Sequence, residues 1–509
     1  MQRSLRCVWS PAFWVLALGA FACGGESNEG PGATAGSAGS AGTGGGAAGG
    51  SAGSAGTAGV DAGAGSGGTG GGEAQLLEGT PSVAWDYTGI IGTGQSLAVG
   101  AQAGNITAAA MSQPYNNLKL SLGSLTVPPL DAAASESAEL SLVPLVEPIR
   151  QTASGYPSAY PFNLYGESPH TAMSAELTAL ATTVGGLEDL VTVHTVVGES
   201  GQPMTVINKA ATEMVTDTGT LGRAYAASLF EARAIARLAE AAGKTYGIGA
   251  IFLTHGESDA GNANYTNDML QLWTDYNADL RAITGQEQPI PLFTSQQHGI
   301  FQYATGQAPR SIDLSTTLQW TAALDHPDAI VCVGPKYQYP YFSDFLHLVP
   351  LGYELMGEKY AEAFYEHVLL GRPWQPLQPL RDTVARNGRT ISVDFHVPVA
   401  PLAWDDVLPS PHQADLTEWA QGRGFEVREG TTRLTIESVT LVDEDTVQIT
   451  CTTDVPAGAT LGYAATSDAA AISGFSPRWG QLKDSDPFVG SFTNMAQANY
   501  AVSFELPVP

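Results

Sequence analysis

Strand-like and helix-like patterns alternate through the middle of the chain. Short apolar runs, several of them rich in β-branched residues, occur at residues 85–91, 190–197, 248–253, 290–294 and 329–333. Segments of helical composition or spacing lie at residues 221–242, at 267–283 and from Pro350 onward. Strands separated by helices are typical of a parallel sheet with helices on both faces. The pattern therefore predicts an α/β domain over residues 75–373, with about five parallel strands.

Two stretches depart from this alternation. Residues 105–186 are rich in Ser, Pro, Ala and Tyr and are long for a connection, so we expect an insertion over the face that carries the functional site. After about residue 375, apolar and polar residues alternate with a period of two, as at Ile391, Val393 and Phe395. That period indicates half-buried strands. Residues 375–509 are therefore predicted to form an antiparallel β-sandwich as an accessory domain.

The N-terminus has the composition of a targeting signal. Arg3 and Arg6 precede an apolar stretch that is too short to span a bilayer and that ends at Ala22-Cys23 before glycines. Small residues before such a cysteine resemble the lipobox of bacterial lipoproteins. The resemblance implies a signal peptide over residues 1–22 and acylation of Cys23, which would anchor the protein outside the cytoplasm, on the outer membrane or cell surface. An ordinary secretory signal is the alternative.

Composition narrows the range of partners. Residues 23–74 consist almost wholly of Gly, Ala, Ser and Thr, which predicts a flexible, disordered tether. The whole chain carries 50 acidic against 22 basic residues, a formal net charge of −28. Because this charge repels nucleic acid and anionic lipid, we expect no nucleic-acid partner and membrane contact only through the lipid anchor. The histidines show no metal-ligand spacing, and neither a metal nor another cofactor is expected.

Small and polar residues follow each predicted strand. In an open parallel sheet, ligands bind beyond the carboxyl ends of the strands, so these residues are the candidates for chemistry. The stretches are Gly94-Gln95-Ser96, Gly198-Glu199-Ser200-Gly201, His255-Gly256-Glu257, Gln296-Gln297-His298 and Asp344-Phe345-Leu346-His347.

Together these stretches resemble the sequence blocks of the SGNH hydrolases, and among them those of the sialate O-acetylesterase-like carbohydrate esterases. The resemblance covers residues 87–368. The family usually continues Gly-Gln-Ser with Asn where this chain has Leu97, and its third block is Gln-Gly-Glu where this chain has His255-Gly256-Glu257. What the resemblance implies is a flavodoxin-like sheet and a serine esterase that removes O-acetyl groups from carbohydrate.

Ester cleavage needs a nucleophile, a base and donors for the oxyanion that develops on the carbonyl oxygen. By the resemblance, Ser96 is the nucleophile, His347 is the base, and Asp344 holds the other nitrogen of the imidazole ring. The backbone N–H groups of Ser96 and of Gly198 or Gly201 would form the oxyanion hole, with His255 in place of the family's amide. The candidate residues of the substrate pocket are Gln95, Glu257, Gln297 and His298.

Two alternatives stay open at this point. The run Gly256-Glu257-Ser258-Asp259-Ala260 nearly matches the Gly-x-Ser-x-Gly elbow of α/β-hydrolases, which would make Ser258 the nucleophile. The second alternative is a non-catalytic carbohydrate-binding or adhesion lipoprotein that keeps the esterase fold.

Overall fold

The computed structural model describes residues 77–101, 103, 116–121, 140–147, 149, 167–213, 221–299, 313–467, 472 and 474–509. The expected signal peptide, Cys23 and the tether up to residue 74 lie outside these residues. The described strands and helices belong to one compact unit, Thr69–Pro509. Within the described ranges, no helix is both long and apolar enough to cross a membrane.

A mixed sheet of seven strands forms the centre of the α/β region in the described residues. Its strands are β1 (Tyr87–Gly94), β2 (Leu118–Ser121), β3 (Ser141–Pro144), β4 (Thr192–Gly198), β5 (Tyr246–Thr254), β6 (Leu292–Gln296) and β7 (Ile330–Pro335). Their spatial order is β3-β2-β4-β1-β5-β6-β7. The pairs from β2 to β7 are parallel, and the edge strand β3 runs antiparallel to β2. β1 therefore lies in the middle of the sheet.

Helices cover both faces of this sheet. They are α1 (Pro169–Ala179), α2 (Met204–Ile207), α3 (Arg223–Ala241), α4 (Tyr265–Thr284), α5 (Leu314–Asp325) and α6 (Pro350–Phe364). Side chains alternate across the strands: Ile90 is buried in a cluster with residues of α1 and α6, and its neighbour Ile91 is buried in a cluster with residues of α3 and α4. A strand that is buried on both faces reads as a continuous apolar run, which is the pattern seen at 248–253.

The five predicted strands are confirmed within three residues as β1, β4, β5, β6 and β7. The sheet has two strands more than predicted, and both come from the stretch expected to be an insertion. β2 and β3 extend the edge next to β4, and α1 packs against α6. These parts of residues 105–186 therefore belong to the core. β2 and β3 have four residues each, too few for a period of two to stand out.

The C-terminal region consists of antiparallel sheets, as the period of two predicts. Its strands are β8 (Gln378–Pro379), β9 (Ala385–Asn387), β10 (Thr390–His396), β11 (Ala403–Trp404), β12 (Phe425–Glu429), β13 (Thr432–Arg433), β14 (Ile436–Leu441), β15 (Thr446–Cys451), β16 (Thr460–Tyr463), β17 (Leu482–Lys483) and β18 (Phe504–Pro507). Two larger sheets, β14-β15-β10-β8 and β13-β12-β16-β18, bury their inner faces in one apolar cluster. That cluster also contains Trp320 of α5 and Cys332 of β7. The two regions therefore share a core.

Candidate active site

The carboxyl ends of neighbouring strands meet at one edge of the central sheet. Gly94, the last residue of β1, pairs with Gly198 at the end of β4 on one side and with Thr254 at the end of β5 on the other. β6 ends at Gln296 beside β5, and the chain leaves β7 at Pro335. Because parallel strands end at the same edge, the candidate residues that follow them are collected here.

Ser96 directly follows β1 and begins a short 3-10 turn, Ser96–Ala98, in which it is buried. The Gln95 N–H donates to the Thr254 carbonyl (3.1 Å), and Gln95 Oε1 accepts the Ser258 N–H (3.2 Å), so the turn is fixed to the end of β5. Gly94 has a φ of +135°, and a Cβ there would lie 2.1 Å from the Thr254 oxygen, which requires glycine. Among the described residues the Ser96 backbone N–H donates no hydrogen bond.

Asp344 and His347 form a hydrogen-bonded pair. His347 Nδ1 lies 2.7 Å from Asp344 Oδ2, and Asp344 Oδ1 accepts the backbone N–H groups of Leu346 and His347, both at 3.0 Å. Burial alone would raise the pKa of Asp344, but the hydrogen bonds from His347 and Leu346 outweigh it, and the net shift of the pKa is downward. An ionised Asp344 keeps the proton on His347 Nδ1. His347 Nε2 is then unprotonated and can accept a proton.

The loop that carries this pair, residues 341–348, is closed on itself. Tyr341 and Leu348 form an antiparallel bridge, and the Phe342 N–H donates to the His347 carbonyl at 2.8 Å. Phe345 lies between the two candidate residues with a φ of +58°. A bulky residue in this left-handed region costs on the order of 1–3 kcal/mol, and such residues cluster at functional sites.

The segments that follow Ser96 and His347 are joined by one buried cluster and one hydrogen bond. Leu97 and Leu348, which follow them in the chain, belong to one buried cluster, and the Tyr353 hydroxyl donates to the Ala101 carbonyl at 2.8 Å. Within the described residues, no hydrogen bond joins Ser96 to His347. Hydrogen bonds of this kind are often long in a free enzyme and tighten only when substrate binds.

Gly198 and Gly201 need glycine for different reasons. Gly198 is buried, and a Cβ there would lie 2.8 Å from the Gly94 oxygen and 2.9 Å from Val99 Cγ1. Gly201 is exposed and has a φ of +70°, and a Cβ there would have no neighbouring atom within 4 Å. Gly198 therefore allows β4 to pack closely against the end of β1, whereas Gly201 serves the turn. Both glycines stay candidates for the second oxyanion donor.

The placement of His255 contradicts the expectation that it donates to the oxyanion. His255 is fully buried, with Nε2 at 2.9 Å from the Gln202 carbonyl and Nδ1 at 2.9 Å from the Tyr265 hydroxyl. Burial lowers the pKa of His255, so the ring is neutral. A neutral imidazole has one N–H, and here the Gln202 carbonyl takes it while Tyr265 donates to Nδ1. In this arrangement His255 has no N–H left for a substrate.

The four candidate pocket residues also have partners. Gln95 accepts the backbone N–H of Ser258. Glu257 Oε1 lies 2.6 Å from Lys336 Nζ in a buried ion pair, and Glu257 Oε2 has no hydrogen-bond partner in the described part of the chain. Gln297 Nε2 binds Asp313 and Ser315 at the start of α5, both at 3.2 Å.

His298 faces the C-terminal region instead of the site. Its Nδ1 lies 3.0 Å from the Gln296 carbonyl and its Nε2 lies 2.8 Å from Ser503 Oγ. Both ring nitrogens are therefore occupied, as they are in His255, and His298 is not available to a substrate.

The alternative nucleophile Ser258 lies in a different kind of turn. An elbow serine sits on a sharp turn between a strand and the helix that follows directly. Ser258 comes four residues after the end of β5, and α4 begins only at Tyr265. Its N–H is held by Gln95. This geometry favours Ser96.

Lys336 is a residue at this edge that the sequence patterns did not single out. It follows β7 directly and is fully buried against Glu257. The rule that pointed to the other strand ends would also have pointed to residue 336. In the described residues, no group of three or more His, Cys, Asp or Glu side chains is placed to hold a metal ion.

Comparison with known proteins finds distant structural likenesses. A carbohydrate acetylesterase from Xanthomonas citri has 12% identity and a TM-score of 0.48, over 83% of this chain and 81% of its own. A protein from Arabidopsis thaliana has 15% identity and a TM-score of 0.36, over 56% of this chain and 99% of its own. NanS has 10% identity and a TM-score of 0.32, over 56% and 97%. No protein-family model and no curated protein matches the chain.

Proposed function

We propose that the chain is a serine esterase that removes O-acetyl groups from carbohydrate. The observation that carries this proposal is the Asp344–His347 hydrogen bond of 2.7 Å. The loop that carries this pair lies at the edge of the sheet where β1 ends and Ser96 follows. A serine hydroxyl is inert near neutral pH unless an imidazole accepts its proton. The order of the three residues and their places in an α/β sheet support an acyl-transfer site.

The reaction follows from these roles. Ser96 Oγ attacks the ester carbonyl while His347 Nε2 takes its proton, and Asp344 stabilises the imidazolium that forms. The oxyanion accepts hydrogen bonds from the backbone N–H groups of Ser96 and of Gly198 or Gly201. Collapse of the tetrahedral intermediate releases the sugar hydroxyl, which receives the proton from His347. Water then attacks the acetyl-enzyme with His347 as base again, and acetate leaves.

The carbohydrate part of the proposal rests on the resemblance of the Gly94-Gln95-Ser96 and Asp344-x-x-His347 blocks to acetylated-glycan esterases. The location rests on the sequence before the described residues. With acylation at Cys23 and a tether to residue 74, the enzyme would act on glycans outside the cytoplasm, held to the cell envelope by lipid.

Acetate release with matched serine variants tests the function. Residues 75–509 should release acetate from 4-nitrophenyl acetate and from O-acetylated polysaccharide, and Ser96→Ala should lower kcat by several orders of magnitude while leaving the melting temperature nearly unchanged. Ser258→Ala is the matched control, because Ser258 lies at the same edge and binds Gln95 only through its backbone. Equal activity of wild type and Ser96→Ala would refute the assignment. Glycan binding without acetate release would indicate the non-catalytic alternative.

A further inference from the structure

A segment of the C-terminal β region, residues 474–479, is joined directly to the candidate active site. The Tyr341 N–H, at the start of the loop that carries Asp344 and His347, donates to the Gly474 carbonyl at 3.0 Å. Two residues later, Ser476 Oγ donates to the His298 carbonyl at 3.4 Å, beyond the end of β6. The segment therefore spans from the catalytic loop to a neighbouring strand end.

Arg478 fixes the other end of this segment. Its guanidinium is buried, and Nη2 lies 3.3 Å from the Gln297 carbonyl, 3.1 Å from Asp313 Oδ2 and 2.9 Å from Thr316 Oγ1. A buried charge is tolerated only when it is paired and hydrogen-bonded, as it is here. Trp479 follows, with its indole N–H donated to the Pro409 carbonyl at 2.7 Å. These contacts hold the segment rigidly at the sheet edge.

Phe475 is the large side chain of this segment that stays only half-buried, although the next residues, 476–480, are all buried. Its ring lies 6.1 Å from the Trp479 ring, centre to centre, with 34° between the planes. It adjoins Gly474, which binds the catalytic loop. Two further phenylalanines of that loop, Phe342 and Phe345, are also half-buried.

Burial of an aromatic ring is favourable, so Phe475 and Phe342, which lie half-buried on segments that contact each other, offer aromatic surface that a bound ligand can cover. The face of an aromatic ring carries partial negative charge, and the C–H groups of a pyranose ring carry partial positive charge. A flat sugar face can therefore stack on such a ring while its ester points to the nucleophile.

We propose that the C-terminal β region contributes to substrate recognition, with Phe475 as a specificity-determining residue that stacks on a sugar ring next to the acetyl ester. This inference rests on the proposed esterase function, and Phe342 adds aromatic surface from the loop that carries Asp344 and His347. The β region is then a part of the active site itself. A small acyl ester without a sugar lacks the C–H face that a pyranose ring presents to Phe475.

The test compares a sugar ester with a small ester. For Phe475→Ala, kcat/KM on O-acetylated xylotetraose should fall about tenfold more than kcat/KM on 4-nitrophenyl acetate, a differential of about 1.4 kcal/mol. The loss should lie in KM rather than in kcat, because stacking is present before and during the reaction. Phe475→Trp should retain the preference for the sugar ester over the small ester, since indole offers a larger aromatic face. Phe492→Ala is the matched control, a half-buried phenylalanine held on a different loop by Glu358.

A binding experiment separates this inference from the proposed function. Calorimetric titration of O-acetylated xylotetraose into the Ser96→Ala protein should give a Kd that the added Phe475→Ala change weakens about tenfold. If Phe475→Ala folds poorly, Phe475→Leu keeps most of the volume without the aromatic face and should show the same preference loss. Equal losses on both esters, or an unchanged Kd, would overturn the role of Phe475 while wild-type acetate release still supported the esterase. Absence of acetate release from every ester in the wild type would refute the esterase itself.

Discussion

His255 offers a sharp test because two roles for it predict opposite results. As an oxyanion donor, the role expected from its place in the third block, it would act only in the transition state. In the structure it instead joins three elements, since its ring bridges the Gln202 carbonyl after β4 and the Tyr265 hydroxyl at the start of α4. We therefore expect His255→Ala to lower stability much more than it lowers kcat.

The expected loss of stability follows from the two hydrogen bonds. Truncation leaves the Tyr265 O–H without its acceptor in a site that is fully buried, which costs about 1–3 kcal/mol. Gln202 is only partly buried, so water can reach its carbonyl and the cost there is near the lower end of that range. Together these give a loss of about 2–4 kcal/mol in the free energy of unfolding. His255→Gln keeps one donor and one acceptor at this position, so it should recover most of the loss.

Urea unfolding and acetate-release kinetics on the same variants distinguish the two roles. A positioning role predicts a kcat for His255→Ala within about tenfold of wild type, together with a lower free energy of unfolding. Removal of one oxyanion-hole donor typically costs about 10²–10³ in kcat. Tyr265→Phe is the matched control, because it deletes the partner of Nδ1 and should lower stability without touching the reaction. A loss of about 10² or more in kcat for His255→Ala, with unfolding unchanged, would refute the positioning role.

Three further outcomes are expected. kcat/KM on 4-nitrophenyl acetate should fall on acidification, because protonated His347 cannot accept the serine proton; a flat profile would contradict the base assignment. Burial raises the pKa of Glu358 to about 7, although hydrogen bonds from Thr493 oppose it, so the folded state holds a proton that the unfolded chain loses near pH 4.5. The stabilisation from Glu358 is therefore lost as the pH rises through about 7. In the Glu358→Gln variant, the free energy of unfolding measured by urea titration should depend less on pH in that range. Full-length protein should partition into detergent, and Cys23→Ala should abolish the partitioning; detergent-phase recovery of that variant would place the anchor elsewhere.

The sequence predicted the long elements of the α/β region well. The helix expected at 221–242 is Arg223–Ala241, and the helix expected at 267–283 is Tyr265–Thr284. Long amphipathic or apolar runs carry this signal in their own composition. The edge strands β2 and β3 were missed because they have four residues each, and their pairing comes from neighbours that are distant in the chain.

The candidate site was predictable only at the level of the backbone. Strand ends placed Ser96, Gly198 and His255 at one edge of the sheet, and a three-residue spacing placed Asp344 within reach of His347. Where a side chain points depends on partners that spacing does not reveal. The nitrogens of His255 are taken by residues 202 and 265, and the ring of His298 is turned toward residue 503. Both histidines look available in the sequence, and both are occupied in the fold.

The domain boundary expected near residue 375 marks the point where the hydrophobic pattern changes to a period of two. Polar groups at the candidate site nevertheless connect the regions on either side of this boundary. The Gln296 side chain donates to the Ser503 carbonyl at 2.9 Å and accepts the Ser503 N–H at 2.7 Å, at the end of β6. Each such buried group costs about 1–3 kcal/mol if it is left unpaired, and whole domains are stable by only about 5–15 kcal/mol. Gln296, Gln297 and His298 together make contacts with the β region that water would have to replace if that region were absent. The strand ends that carry the candidate site therefore depend on C-terminal residues for their geometry, so the α/β region and the β region have to be treated as one structural unit.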